Sequence, residues 1–229
     1  MNQPVGLRAR KKERTRDAIA EAAISLFLAR GFDDVSVTDI AAAAEVSKPT
    51  LFRYFPSKED LVVHRFADHS GEAARVVRAR PDGVAPLDAL HRHFRDGLDR
   101  RDPVTGLNDH PQVLAFHRLV FDTPSLAARV ARFTVDDEAA LADALTGPLR
   151  PGIGTRLMAA QVLAAQRVLA RTNWRKLADG ASADGVHPDA VADADLAFTW
   201  LRNMDAFAAS GGPLGQSGAA RRVPKAPRR

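Results

Sequence analysis

Apolar residues at positions 19, 22, 23, 26 and 27 form an i, i+3, i+4, i+7, i+8 stripe. That pattern predicts an amphipathic helix from about Thr15 to Arg30, stopped by Gly31. Ser36 with Asp39 three residues on has the form of a capping box and opens a short helix over Val37 to Ala44. Ser47 caps a third helix that ends at Pro56, and Ser57 with Asp60 opens a longer one running to about Arg80. Beyond Pro81 the same periodicity predicts helices at about 86–101, 110–122, 124–146, 155–179 and 188–209, divided by "RPDGVAP", "RRDPVTG", "FDTP" and "GPLRPGIG". Alternating β-branched runs are short. The expected fold is all-α, with a three-helix unit at the N-terminus and a larger helical body after it.

The third helix has an unusual outer face. In "VSKPTLFRYFPSKEDL" (46–61), Leu51 and Phe55 are four apart and bury together, which turns Pro49 and Arg53 outward beside Thr50 and Phe52. Three short helices with a tight turn before the third make a helix-turn-helix, whose last helix enters the DNA major groove. On that reading Lys48, Pro49, Phe52 and Arg53 meet base edges and thymine methyls. Ser36, Thr38, Ser47, Thr50, Tyr54 and Lys58 are candidates for phosphate contact, Ser36 and Ser47 also serving as caps.

Charge supports a polyanionic partner once it is divided along the chain. Residues 1–16 hold six Lys or Arg and one Glu, and residues 211–229 hold five and no acid, so each end carries +5. The whole chain is +5, leaving −5 for residues 17–210. Basic arms on a mildly acidic body suit contact with nucleic acid. The chain has no cysteine, which excludes disulfides, thiolate metal sites and a cysteine nucleophile. No apolar run is long enough for a membrane span, and no apolar stretch follows the charged N-terminus as in a secretory signal. A cytoplasmic protein is expected.

Residues 15–61, with Phe27, Gly31 and Phe32 followed by "SVTDIAAAAEVSKPTLFRYFPSKEDL", resemble the DNA-binding domain of the tetracycline-repressor (TetR) family of bacterial transcription factors. The resemblance implies a homodimer whose recognition helices read successive major grooves of a palindromic operator. It also implies a mostly apolar small-molecule effector, such as a long acyl derivative, that lowers DNA affinity. The organisation it implies is a basic arm (1–14), a helix-turn-helix domain (15–58), a helical ligand-binding and dimerisation domain (59–210) and a disordered basic tail (211–229). Two positions depart from the family pattern: Glu45 stands where glycine is usual in the turn, and Phe52 stands where tyrosine is common.

Within the body, Phe66, Phe94, Leu114, His117, Phe121 and Met158 are candidates for a ligand wall, though the same spacing suits plain core. Stripes at Met158, Val162, Ala165, Val168 and Leu169, and at Leu196, Ala197, Trp200, Leu201 and Met204, fit a bundle between two copies as well as packing within one. The histidines lack the partners of a metal set, so no metal or other cofactor is expected. No nucleophile elbow or phosphate-binding glycine loop marks an enzyme. A constitutive DNA-binding protein with no effector remains the alternative.

Overall fold

A computed structural model of the chain describes residues 6–67, 69–146 and 152–209, and those residues hold helices and no strand. The helices are α1 (Leu7–Arg30), α2 (Val37–Ala43), α3 (Lys48–Tyr54), α4 (Lys58–Ala67), α5 (Glu72–Ala79), α6 (Pro86–Asp99), α7 (Pro111–Asp122), α8 (Pro124–Thr146), α9 (Ile153–Ala178) and α10 (Ala183–Ala209). A 3-10 turn, Pro103–Thr105, links α6 to α7. Among the described residues no helix is long and apolar enough to cross a membrane. The basic tail expected over 211–229 lies outside the described residues, as does the side chain of Phe66.

Three boundaries differ from the expected ones. Helix α1 begins at Leu7, not Thr15, so the described part of the basic arm continues the helix. Helix α10 begins at Ala183, five residues before the expected start, because Asp109 Oδ2 accepts the Ala183 N–H at 2.8 Å and Ser182 Oγ accepts the Gly185 N–H at 3.1 Å. These side chains satisfy N–H groups that a helix start otherwise leaves open. The long helix expected to reach Arg80 is instead two, α4 and α5. Gly71 adopts left-handed backbone (φ 69°) between them. Asp137 of α8 fixes that corner, accepting from the Ser70 hydroxyl at 2.8 Å and the Gly71 N–H at 2.7 Å. Just after the corner, hydrogen bonds from His93 and His69 outweigh partial burial and hold Glu72 down to about 2.

Two apolar cores result. The first packs Ile19, Ala23 and Phe27 of α1 with Phe32, Val35, Ile40, Leu51, Phe55, Leu61 and Val62, and it also takes in Val120 of α7 and Leu126 of α8. The second fills the body between α5, α6, α8, α9 and α10, centred on Leu90, Leu98, Leu141, Val162 and Phe198. The 3-10 turn is pinned to α9: the buried Asn173 amide donates to the Thr105 carbonyl at 3.0 Å.

That pinning leaves no room beside Gly106, which sits at φ 71° with a hypothetical Cβ 1.9 Å from the Ala170 carbonyl oxygen. Gly106→Ala is expected to lower unfolding free energy by about 3 kcal/mol or more. Gly152→Ala adds its methyl to open space and should change stability by less than about 0.5 kcal/mol. Equal urea midpoints for the two variants would overturn this account of the turn.

Candidate nucleic-acid interface and cavity

The outward face of α3 depends on how tightly its inner face is held. Ser47 caps the helix, its hydroxyl oxygen accepting the Thr50 N–H at 3.2 Å and lying 2.8 Å from Thr50 Oγ1. Pro49 sits in the first turn, where a missing N–H costs nothing. Leu51 is fully buried and Phe55 nearly so, while Lys48, Pro49, Phe52 and Arg53 are exposed, Phe52 to 41%. Phe52 thus stands as an exposed aromatic ring on a seven-residue helix. The Arg53 guanidinium lies 5.5 Å from the Tyr54 ring centroid, and half-buried Tyr54 packs on the first core.

The preceding helix starts on a complete capping box. Ser36 Oγ accepts the Asp39 N–H at 3.1 Å, and Asp39 Oδ2 accepts the Ser36 N–H and hydroxyl at 2.9 and 2.7 Å. These hydrogen bonds from Ser36 hold the Asp39 carboxyl below its ordinary value. Ser36 and Thr38 stand exposed at this helix start. The turn between α2 and α3 closes by a Schellman pair: Glu45 N–H to Ala42 O at 3.1 Å and Val46 N–H to Ala41 O at 2.9 Å. Glu45 occupies the left-handed position, φ 53°, where glycine is favoured.

Lys58 departs from its expected role. Its ammonium donates to the Phe32 carbonyl and lies 4.3 Å from the Phe32 ring centroid, so it faces the domain's own core rather than a phosphate. The side chain clamps the loop after α1 to the start of α4.

A cavity of about 460 Å³ opens in the body between α7, α9 and the 3-10 turn, within the size range of ligand pockets. His117 and Phe121, two of the candidate residues, line it; Pro103, Arg167, Val168, Ala170, Arg171, Thr172, Trp174 and Arg175 complete it. The other described candidates lie elsewhere. Phe94 is buried in the second core against Phe198, and the half-buried Leu114 and Met158 pack on that core, so none of the three is part of this wall. The α9 residues were missed although a signal existed: Arg167, Arg171 and Arg175 fall at i, i+4 and i+8 on one helix face. Burial, and then the charge of Arg171, pushes His117 down to about 4.

The first family to which this geometry answers is also the one the sequence resembles. Residues 19–64 match the family model for bacterial regulatory proteins of the tetR family. The HTH-type transcriptional repressor Rv3405c of Mycobacterium tuberculosis is 33% identical over 156 residues, covering 68% of this chain and 71% of that protein. The chain belongs to the TetR family. The HTH-type transcriptional regulator TcmR of Streptomyces glaucescens is 38% identical over 138 residues, 60% of this chain; the match spans 61% of TcmR's own length. Among solved structures, NalD of Pseudomonas aeruginosa, the secondary repressor of the MexAB-OprM efflux pump, superposes with a TM-score of 0.56. At 19% identity it covers 82% of this chain and 96% of NalD, a likeness of fold. These relatives are named as regulators, not as enzymes.

Two outcomes follow from the local geometry. Glu45→Gly should relieve the left-handed strain and raise stability by about 1 kcal/mol, or roughly 2–4 °C in melting temperature; an unchanged or lower melting point would mean the turn is unstrained. His117 titrates near 6.5 when unfolded and about 4 when folded. Its neutral ring therefore contributes stability that is complete above pH 6.5 and is lost as pH falls through about 4, on the order of 3 kcal/mol. In urea titrations across that window, His117→Phe should flatten the acid decline; an unaltered slope would remove His117 as its source.

Proposed function

We propose that this chain is a ligand-responsive transcriptional repressor that acts in the cytoplasm and binds a palindromic operator as a homodimer. The observation that carries the reading is the division of α3, with Leu51 and Phe55 sealed beneath and Lys48, Pro49, Phe52 and Arg53 presented above. Arg53 is the base reader, since an arginine meeting guanine is the commonest specific contact. Phe52 and Pro49 offer apolar contact to thymine methyls. Ser36, Thr38, Ser47, Thr50 and Tyr54 serve the phosphates, together with the N-terminus of α2 and the basic start of α1. The family's repressor at 33% identity supports the sign of regulation.

Exposed apolar side chains on the last two helices support pairing of two copies: Ile153, Leu157 and Val168 on α9, and Leu196, Trp200 and Met204 on α10, with Trp200 63% exposed. A dimer then sets its two α3 helices about 34–36 Å apart for one turn of DNA. The effector site is the cavity lined by His117 and Phe121. Phe121 lines that cavity and also packs on the first core, so an occupant acts on the seating of the helix-turn-helix through α7. A ligand favouring a wrongly spaced dimer weakens operator binding by the coupling energy, typically about 1–3 kcal/mol.

Selection of binding sites from random duplex DNA tests the reading. The expected product is a palindrome with half-sites one turn apart. Arg53→Ala should lose about tenfold or more in discrimination at one position of each half-site. If Arg53→Ala weakens specific and nonspecific binding equally, the base-reading role is wrong. Enrichment of no sequence at all would overturn the operator reading.

A further inference from the structure

Three arginines and three rings meet at the cavity on α7 and α9. His117, Phe121 and Trp174 surround one another with centroid separations of 6.0, 6.3 and 6.1 Å, none of them in parallel stacking. The Arg171 guanidinium lies 4.1 Å from the Phe121 centroid and 5.3 Å from that of Trp174. A guanidinium stacked on a ring keeps its in-plane N–H groups free for a planar, bidentate acceptor. Arg167 and Arg175 flank it one turn either way, at the exposed rim. Among the described residues none of the three is in an ion pair, and like charges spaced at i, i+4 repel. Two buried polar atoms of the same wall, Trp174 Nε1 and His117 Nδ1, have no hydrogen-bond partner, and Trp174 is only 9% exposed.

We propose that the cavity takes a planar aromatic acid, its ring against the cavity-facing sides of Phe121, Trp174 and His117 and its carboxylate or phenolate on Arg171 with Arg175 at the mouth. The assignment rests on the reading of this cavity as the effector site. Ring-faced walls favour a flat aromatic body over a flexible alkyl chain, which gains no stacking there. The unpaired guanidinium favours an anion over a neutral compound of the same shape. His117, held neutral by burial and by Arg171, keeps a ring N–H to donate and adds no further positive charge beside the acid.

Calorimetric titration of the full chain with anthracene-9-carboxylate, 9-anthracenemethanol and decanoate tests this. The aromatic acid is expected to bind about tenfold or more tightly than either the alcohol or the fatty acid. Arg171→Gln should erase the advantage over the alcohol, leaving the alcohol's own affinity within about twofold. Arg175→Glu changes an exposed side chain that is in no ion pair among the described residues, and should weaken the acid severalfold; it keeps the test open if Arg171→Gln fails to fold. Equal affinity for acid and alcohol, equal affinity for acid and decanoate, or no binding of the acid overturns the proposal. Release of selected DNA is measured in parallel to separate the two readings. An acid that binds without releasing DNA sinks the effector reading and leaves the ligand class. Release by a neutral or aliphatic compound that occupies the cavity while the acid does not bind sinks the ligand class alone.

Discussion

Val120 of α7 and Leu126 of α8 are both fully buried in the core of the helix-turn-helix unit, and the rest of the structure depends on that shared burial. Helices of seven residues such as α2 and α3 are too short to hold themselves in water. They persist because Ile40, Leu51 and Phe55 reach a core built on α1 and completed by the body. Each fully buried residue of this size contributes about 1.5–3 kcal/mol, so removing the body's share would cost the reading surface much of its support. The N-terminal unit is therefore not an independent bead on a linker; its interior continues into the body through α7 and α8.

Polar contacts then fix the angle at which this seam is set. Asp60, at the start of α4, caps with Ser57 and also accepts from Arg129 of α8 at 2.5 and 3.1 Å. Partial burial pushes the Asp60 carboxyl up, but the hydrogen bonds from Ser57 and Arg129 outweigh it and hold the group below its ordinary value. Asp137, also on α8, holds the corner between α4 and α5 through Ser70 and Gly71. The start of α4 and the corner that follows it are thus tied to one helix of the body, and α7 contributes both to the first core and to the arginine-lined cavity. Burial supplies the attraction, while these directional bonds select one geometry out of the many that burial alone permits.

Much of this was legible in the chain. The stripe at 19, 22, 23, 26 and 27, the Ser36–Asp39 box, the Ser47 cap and the pairing of Leu51 with Phe55 are local signals, decided within one or two turns of helix. The unusual backbone at Glu45 was likewise marked by the residue standing where glycine is expected. The cavity was only half legible. His117 and Phe121 sit at helical spacing on an apolar helix and line the cavity, but Phe94, Leu114 and Met158 share that signal, Phe94 lying in the core and the other two packing against it. Periodicity reports that a face is inward, and it carries no information on whether protein or empty space lies opposite.

The sequence by itself determined the helical class, the register of the reading helix and which of its residues turn outward, because each follows from spacing, caps and turns among near neighbours. Only the tertiary structure decided that Lys58 faces the Phe32 carbonyl, that the helix expected to reach Arg80 breaks at Gly71, and that Arg171 of α9 meets Phe121 of α7 across a cavity. Those outcomes depend on partners 26 to 67 residues away, or on helices brought together late in the chain. A side chain's distant partner is chosen by the packing of whole elements, which no local pattern encodes.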